Sequence, residues 1–386
     1  MDTISVDLNT RIIGPKHSVF VARPGENFTL YEAFRDAGAI GPDLPALGLR
    51  RGTVFSDQKE VPARIRRALK LRQWHLSGRD PADEPDRSLD AYGSGGRVRS
   101  LAQYTAALSG YFEKALKGDL VIIAPRAWAQ NALVVEFTGT PDQIVHIPVS
   151  RYGKDHIAGR EFKILAEIER RRLPGHVLDI IGKPNIFVML GRSERPFFYN
   201  LAYESYVYGN DISTRFNVTT PDYKADDDLY ISAFLKFAAV NTSRVSMKNQ
   251  KTVKSVGDAI FVDLGELSPD LKTNVNSPGF IQFHHDSIIP LVAAALFALA
   301  VTVGPEAHAA AQDGMITIGN TNAPPGDACT ASVHNSTLTQ LKILTLAQWG
   351  EACEIATKAK HGAGIKGSVD VKIKHGKTST KKKQSD

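Results

Sequence analysis

The spacing of apolar and polar positions in the first half of the chain predicts short strands and amphipathic helices. Residues 17–23 form a β-rich run that ends at a turn made by Pro24 and Gly25. Residues 29–37 and 99–117 carry apolar side chains at helical spacing, which predicts two helices. Apolar runs bounded by Pro and Gly predict buried strands at 119–124, 132–138 and 143–149. The pattern therefore favours a β-rich N-terminal domain.

The middle of the chain has a weaker pattern. Residues 76–97 are rich in Asp, Pro, Ser, Gly and Arg without an apolar period, which predicts an exposed loop. Residues 161–169 fit either a last strand or a short helix. Three aspartates at 226–228 favour the start of a helix, where the helix dipole attracts negative charge. The polar and basic residues 241–258 predict a linker.

Residues 287–303 form a run of seventeen residues without a charge. That length is near the lower limit for crossing the ~30 Å hydrocarbon layer of a membrane. The run is apolar on all sides, which is typical of a membrane segment and also of a buried core helix. We expect a membrane segment, with the core helix as the alternative.

Basic residues are distributed unevenly around this segment. No Lys or Arg occurs from 304 to 341, whereas several precede the segment: Arg244, Lys248, Lys251, Lys254 and Lys272. The positive-inside rule then predicts an inner-membrane protein whose N-terminal domain faces the cytoplasm. Ala307 and Ala309 form an A-x-A triplet like the site of signal peptidase, so cleavage after Ala309 is left open.

The C-terminal part is expected to fold as a small unit outside the cytoplasm. Residues 315–318 and 369–373 read as strands, and residues 337–358 read as a helix whose apolar stripe is interrupted at Thr345. Both cysteines, Cys329 and Cys353, lie after the apolar segment, where an oxidising periplasm would let them form a disulfide. Six lysines crowd the last fifteen residues, which predicts a disordered basic tail.

Composition adds little to this picture. The 386 residues suggest two or three domains, and 42% apolar residues are enough for a sizeable core. The net charge of +6 depends on the lysine tail, so it does not by itself indicate a nucleic-acid partner for the folded part.

The order of several short motifs between residues 17 and 190 resembles the N-terminal domain fused to Mrr-type restriction nucleases, a small β-barrel of the EVE/PUA kind. The matching segments are Val19–Gly25, Ala39–Leu47, Lys117–Ile123, Val134–Gly139, His156 with Arg160, and Arg172–Pro174. The resemblance implies a domain that reads modified bases or nucleotides. An aromatic wall would stack the base while a few polar groups read its edge.

Four residues are candidates for that ligand site: Trp128, Arg126, Asn131 and Tyr152. Trp128 comes just after a predicted buried strand, where loops place binding residues. The alternative is that Trp128 only caps the barrel.

Catalytic chemistry is not expected. Asp258, Asp263 and Glu266 could imitate a nuclease motif, but Ser268 and Pro269 follow in place of a lysine-bearing strand. The adjacent His284 and His285 would point to opposite faces of a strand, so they do not suggest a metal site. We therefore expect no catalytic residue, no metal and no cofactor.

Together these patterns predict an α+β protein. The expected parts are an EVE/PUA-like sensor domain at 1–190, a middle module with linker at 191–258, a juxtamembrane and membrane segment at 259–304, a small extracytoplasmic unit at 305–372 and a basic tail at 373–386. The expected function is a membrane-anchored sensor or effector of anti-phage defence. Its partners would be modified DNA or a nucleotide, the membrane and other defence-operon proteins, with a homo-oligomer as an option. The alternatives are a diverged Mrr-like DNA nuclease and a membrane adaptor without catalysis.

Overall fold

The computed structural model describes five stretches of the chain, namely residues 3–49, 60–93, 100–246, 253–274 and 279–375. The chain divides into two compact units. One unit combines residues 1–15 with residues 203–386, and the other is residues 16–202. The second unit is therefore inserted in the sequence of the first.

The first fifteen residues contribute two strands to the outer unit, β1 (Thr3–Asp7) and β2 (Arg11–Ile13). Residues 16–202 then contain β3 (Val19–Ala22), α1 (Tyr31–Ala37), β4 (Ala39–Ile40), α2 (Glu60–Leu76), α3 (Leu101–Ser109), β5 (Leu120–Ile123), β6 (Asn131–Phe137), β7 (Val145–Ile147), β8 (Ile157–Glu169), α4 (Gly175–Gly182), β9 (Phe187–Met189) and α5 (Arg195–Ala202). The predicted strands at 119–124, 132–138 and 143–149 are confirmed as β5, β6 and β7. Residues 161–169 are strand, not helix.

These strands form a seven-stranded sheet in the order β4-β8-β6-β5-β3-β9, with β7 paired to β8. All four residues of β5 are buried, as its unbroken apolar run requires. The strand β3 pairs in parallel with β5, and β9 runs antiparallel to β3. Among the described residues, this series of paired strands ends at β4 on one side and at β9 on the other. The prediction of a small β-barrel is therefore wrong.

The predicted helix at 99–117 is shorter than expected. After α3 the chain forms a π-helical turn at Gly110–Lys114. The buried guanidinium of Arg160 donates hydrogen bonds to the carbonyls of Tyr111, Ala115 and Gly139. It thereby satisfies two carbonyl groups, those of Tyr111 and Ala115, at the end of a helix where helical partners are missing.

The rest of the outer unit begins at Tyr203. It contains β10 (Ser205–Tyr208), β11 (Asp211–Val218), α6 (Ala225–Ser246), α7 (Val256–Ile260), β12 (Asp270–Asn274), β13 (Gly279–His285), α8 (Ile289–Thr302), α9 (Glu306–Gln312), β14 (Ile316–Gly319), α10 (Ala328–Ile343), α11 (Leu346–Ala363) and β15 (Asp370–Lys374). A five-stranded sheet has the order β12-β13-β11-β10-β2, and a three-stranded sheet has the order β14-β1-β15. The small C-terminal unit expected at 305–372 is not separate, because β14 and β15 both pair with β1.

The apolar segment predicted to enter a membrane is the core helix of this unit. All residues from Ile289 to Ala300 are buried. The Phe297 ring meets the rings of Phe216 and Phe234 edge-on, with centroids 5.4 and 5.3 Å away. The prediction of a membrane segment is wrong, and the segment is instead a buried core helix, the alternative given by the sequence.

None of the described helices is both long enough and apolar enough to span a membrane alone. The helices α8 and α9 meet the same requirement of length and composition only when taken together, and they are bent by 119° relative to each other.

Two further predictions change in this unit. The helix α6 continues to Ser246, so residues 241–246 are helical and not a linker. The predicted helix at 337–358 is two helices, because Thr345 caps the start of α11 through a reciprocal pair of hydrogen bonds with Gln348. Most of the predicted basic tail lies outside the described residues.

Candidate functional site

The loop after β3 has an unusual backbone that exposes polar and aromatic side chains. Gly25 has φ +77°, and a Cβ there would lie 2.9 Å from the Leu30 side chain. Asn27 and Phe28 follow with φ values of 51° and 60°, in the left-handed region that non-glycine residues seldom occupy. Such strain costs about 1–3 kcal/mol per residue and is found mostly at functional sites. This loop is therefore a candidate site.

Phe28 belongs to an alternating series of arginine and aromatic side chains. The Arg23 guanidinium lies 4.9 Å from the centre of the Phe28 ring. The Arg170 guanidinium lies 5.1 Å from the same ring and 4.8 Å from the centre of the Trp128 ring. Each distance is within the range of cation–π attraction. We call Arg23, Phe28, Arg126, Trp128 and Arg170 the arginine–aromatic surface.

Arg170 also fixes the loop between β5 and β6 that carries Trp128. Its Nη1 donates to the carbonyl oxygens of Pro125 at 2.9 Å and Arg126 at 2.5 Å. Its backbone N–H donates to the carbonyl oxygen of Gln130 at 3.1 Å. Trp128 itself is 57% exposed. The loop thus presents a large ring to solvent in a defined position.

Positive charge on this surface is not neutralised by acidic side chains. Among the described residues, no carboxylate forms an ion pair with Arg23, Arg126 or Arg170. Burial lowers the pKa of Arg170, and the nearby charge of Arg23 lowers this pKa further. The buried Nε atoms of Arg23 and Arg170 have no acceptor in that same part of the chain. The surface is suited to an anionic ligand.

A cleft of about 300 Å³ opens beside this surface and shares Arg23 with it. That volume is at the lower end of small-ligand pockets. Side chains of both charges line the cleft: Arg23, Glu26, Asn27, Asp43, Arg72 and Tyr104. We call it the Asp43 cleft. It can offer both hydrogen-bond donors and acceptors to a ligand.

Asp43 is 4% exposed and is held by two hydrogen bonds and one ion pair. Its carboxylate accepts from the Tyr152 hydroxyl at 2.6 Å and from Arg151 at 3.3 Å, and it lies 3.5 Å from Arg72. Burial, together with the Asp43 charge, raises the pKa of Tyr152. The phenol therefore stays protonated and donates to Asp43 at neutral pH.

Arg72 connects the floor of the cleft to its mouth. It donates to the Tyr104 hydroxyl at 2.8 Å and to the Glu26 carboxylate at 3.4 Å. The side chain of Glu26 is 65% exposed, whereas that of Arg72 is 18% exposed. Glu26 therefore lies where an incoming anion would meet Arg72.

Behind Tyr152 lies a second buried carboxylate, that of Asp155, which contacts His75 and Arg87. His75 Nε2 lies 2.9 Å from Asp155 Oδ2, and Arg87 contacts both Asp155 oxygens at 2.8 and 3.2 Å. Burial alone would raise the pKa of Asp155, but hydrogen bonds from Arg87 and His75 outweigh burial and hold it below its usual value. The His75 ring centre is 5.5 Å from that of Tyr152, so the pair of His75 and Asp155 supports the floor of the cleft.

The structure brings together three of the four residues predicted for the ligand site. Trp128, Arg126 and Asn131 lie in or next to the β5–β6 loop, and Asn131 donates to Glu167 at 3.0 Å. Tyr152 is fully buried and reaches the Asp43 cleft only through its hydroxyl. The sequence did not indicate Arg23, Phe28, Asp43, Arg72 or Arg170. The Pro24–Gly25 turn after a strand was one signal that could have pointed to this loop.

The other candidates from the sequence form no comparable site. Within the described residues, no group of three or more His, Cys, Asp or Glu side chains could hold a metal ion. His284 instead contacts Asp211 at 2.6 Å, and this hydrogen bond raises the pKa of His284. The alternative of a diverged nuclease stays a prediction, and no catalytic site for it is located among the described residues.

Cys329 and Cys353 are free thiols in α10 and α11. Burial, helped by the charge of Asp327, raises the pKa of Cys329 to about 11. Burial, helped by Glu306, raises that of Cys353 to about 12. Both are therefore protonated and poorly nucleophilic at neutral pH. The structure does not show the predicted disulfide.

Comparisons with family models, curated proteins and solved structures find no match to this chain.

Proposed function

We propose that residues 16–202 bind nucleic acid or a nucleotide through the arginine–aromatic surface and the adjoining Asp43 cleft. One observation carries the proposal: cations without acidic partners alternate with aromatic rings, and one of those rings is exposed on a fixed loop. Guanidinium groups recognise phosphate oxygens, and aromatic rings stack on bases. An acidic peptide would use the cations but would leave the exposed ring without a role.

The cleft supports the same ligand class. A nucleotide joins a phosphate to a base whose edge carries hydrogen-bond donors and acceptors. Arg72 offers donors within the cleft, while Asn27 offers an amide acceptor at its mouth. The anti-phage role expected from the sequence stays a prediction, which the identity of the neighbouring genes would test.

The first test replaces two cations of the arginine–aromatic surface in the full-length protein. Arg23→Ala and Arg126→Ala should each weaken binding of an oligonucleotide, because each removes a phosphate contact. The slope of log affinity against log salt concentration should fall by roughly 0.7–0.9 per contact removed. Fluorescence anisotropy with a labelled oligonucleotide at several salt concentrations measures both quantities.

Lys154→Ala is the matched control, because Lys154 is exposed and lies outside both the surface and the cleft. This variant should bind as the unmodified protein does. Equal losses in Lys154→Ala and Arg23→Ala would show only a general effect of charge and would contradict the proposal. Failure of the unmodified protein to bind any oligonucleotide or nucleotide at low salt would also contradict it.

A further inference from the structure

We infer that the ligand of the arginine–aromatic surface is single-stranded nucleic acid, with one base stacked on Trp128. This inference rests on the proposed function and narrows its ligand. It depends on the difference between the two rings of the surface, on the rigidity of the Trp128 loop and on the geometry of duplexes.

The rings of Phe28 and Trp128 differ in how accessible they are to a ligand. The Phe28 ring is half-buried, with the guanidinium groups of both Arg23 and Arg170 about 5 Å from its centre. The Trp128 ring has one such neighbour, Arg170 at 4.8 Å, and is 57% exposed. Trp128 is therefore the ring that can accept a base, while Phe28 separates the two cations.

Arg170 makes that stacking favourable in two ways. Its three hydrogen bonds to the loop hold Trp128 in place, so little conformational freedom is lost when a base binds. Its charge lies 4.8 Å from the centre of the Trp128 ring and would attract a phosphate of the stacked nucleotide. A base that stacks on Trp128 thus gains an aromatic contact and a cation at the same position.

Only an unpaired base can use this contact. In a duplex each base is covered above and below by its neighbours, so its flat faces are closed to a protein side chain. In a single strand a base can separate from its neighbours and stack on an aromatic ring. The arginines would attract either form through phosphates, but Trp128 would distinguish the two.

The experiment compares three ligands with the full-length protein: a labelled single strand of about twelve thymidines, a labelled duplex of the same length, and a mononucleotide. At equal salt, we expect the single strand to bind at least about tenfold more tightly than the other two. Trp128→Ala should weaken single-strand binding by about five- to hundredfold, corresponding to about 1–3 kcal/mol per stacked base. Duplex binding should be unchanged in this variant.

Two controls separate stacking from folding. Phe261→Ala removes another exposed aromatic ring, 88% exposed in the outer unit, and should leave all affinities unchanged. Trp128→Phe keeps an aromatic ring and should keep most of the affinity. In the unmodified protein, the single strand should quench tryptophan fluorescence. Trp128→Phe should lose most of this quenching, because Trp349 is buried and Trp74 lies in α2, outside the arginine–aromatic surface.

The outcomes separate this inference from the proposed function. Equal binding of duplex and single strand would overturn the inference and leave the proposed function standing. The same conclusion would follow if Trp128→Ala weakened the binding of both the single strand and the duplex, or of neither. A mononucleotide that binds as tightly as the strand would overturn the inference in the same way. No binding of any of the three ligands at low salt would overturn both.

Discussion

Glu26 occupies an unusual place among the charged side chains of the candidate site. It is the exposed carboxylate at the mouth of the Asp43 cleft, 3.4 Å from Arg72. An ion pair whose carboxylate is exposed to solvent contributes little to stability, about 0–1 kcal/mol. Its larger effect is on ligands, because a phosphate that approaches Arg72 must displace or repel this carboxylate.

Glu26→Gln should therefore raise the affinity for single-stranded nucleic acid, by about two- to fivefold if the repulsion is of the order of 0.5–1 kcal/mol. Anisotropy titrations at low salt measure the change. Asp36→Asn removes the same charge from an exposed position of α1 and serves as the control. A lower affinity in Glu26→Gln would show instead that this carboxylate accepts a hydrogen bond from the ligand.

At this scale, two of the five residues of the arginine–aromatic surface could be predicted from the sequence. Trp128 and Arg126 could be found because they lie in one loop after an apolar strand. Arg170 follows β8 and Arg23 follows β3, so the approach of Arg170 to Trp128 and of both arginines to Phe28 depends on strand pairing that no local pattern encodes. Arg160 was matched by resemblance alone, and its role in binding carbonyl groups inside the fold became evident only from the contacts.

Among the elements, α8 shows why a correct helix can be assigned to the wrong environment. Its apolar pattern has no polar face, because the helix is buried on all sides within the unit. A lipid bilayer requires the same pattern, so the sequence alone could not separate the two. The end of α6 was missed for the opposite reason. The polar Asn241, Thr242 and Ser243 are buried there because each donates to a carbonyl four residues earlier.

The packing of α8 predicts that replacing one of its large side chains by alanine strongly lowers the stability of the outer unit. Phe297→Ala should destabilise the outer unit by about 3–5 kcal/mol, because it leaves a cavity beside Phe216 and Phe234. Urea unfolding followed by circular dichroism measures the change. Thr302→Ala, at an exposed position near the end of the same helix, should change stability by less than about 0.5 kcal/mol. Similar, small effects of both substitutions would contradict the buried position of α8.

For the molecule as a whole, the first strand is the clearest case of structure that sequence patterns do not reveal. β1 lies between β14 and β15, more than three hundred residues away in the chain. Local periodicity identifies a strand but not its distant partner, and we therefore expected residues 1–190 to belong together. The division observed differs, because residues 1–15 belong with residues 203–386.

This arrangement predicts a selective effect of a substitution near the N-terminus. Val6 is 1% exposed, so Val6→Asp would place a charge in the core and should unfold the outer unit while residues 16–202 stay folded. Hydrogen exchange measured by mass spectrometry should show lost protection in residues 3–15 and in the described residues after 203, and retained protection in residues 16–202. Ser5→Asp, on the exposed side of the same strand, should preserve protection in both units. Loss of protection throughout the chain in Val6→Asp would contradict the division.

The inserted unit also has a consequence for chain entropy. Its two ends are joined, because His17 contacts the Tyr199 hydroxyl at 3.1 Å and accepts through its carbonyl from Arg195 at 2.6 Å. While the insert is folded, the strands β2 and β10, which pair with each other, are connected as if by a short loop. When the insert unfolds, the same connection becomes a random coil of roughly 190 residues, about five doublings longer. At about 0.6 kcal/mol per doubling, closing that coil costs roughly 3 kcal/mol more. Ligands that stabilise residues 16–202 should therefore also protect the outer unit from thermal unfolding.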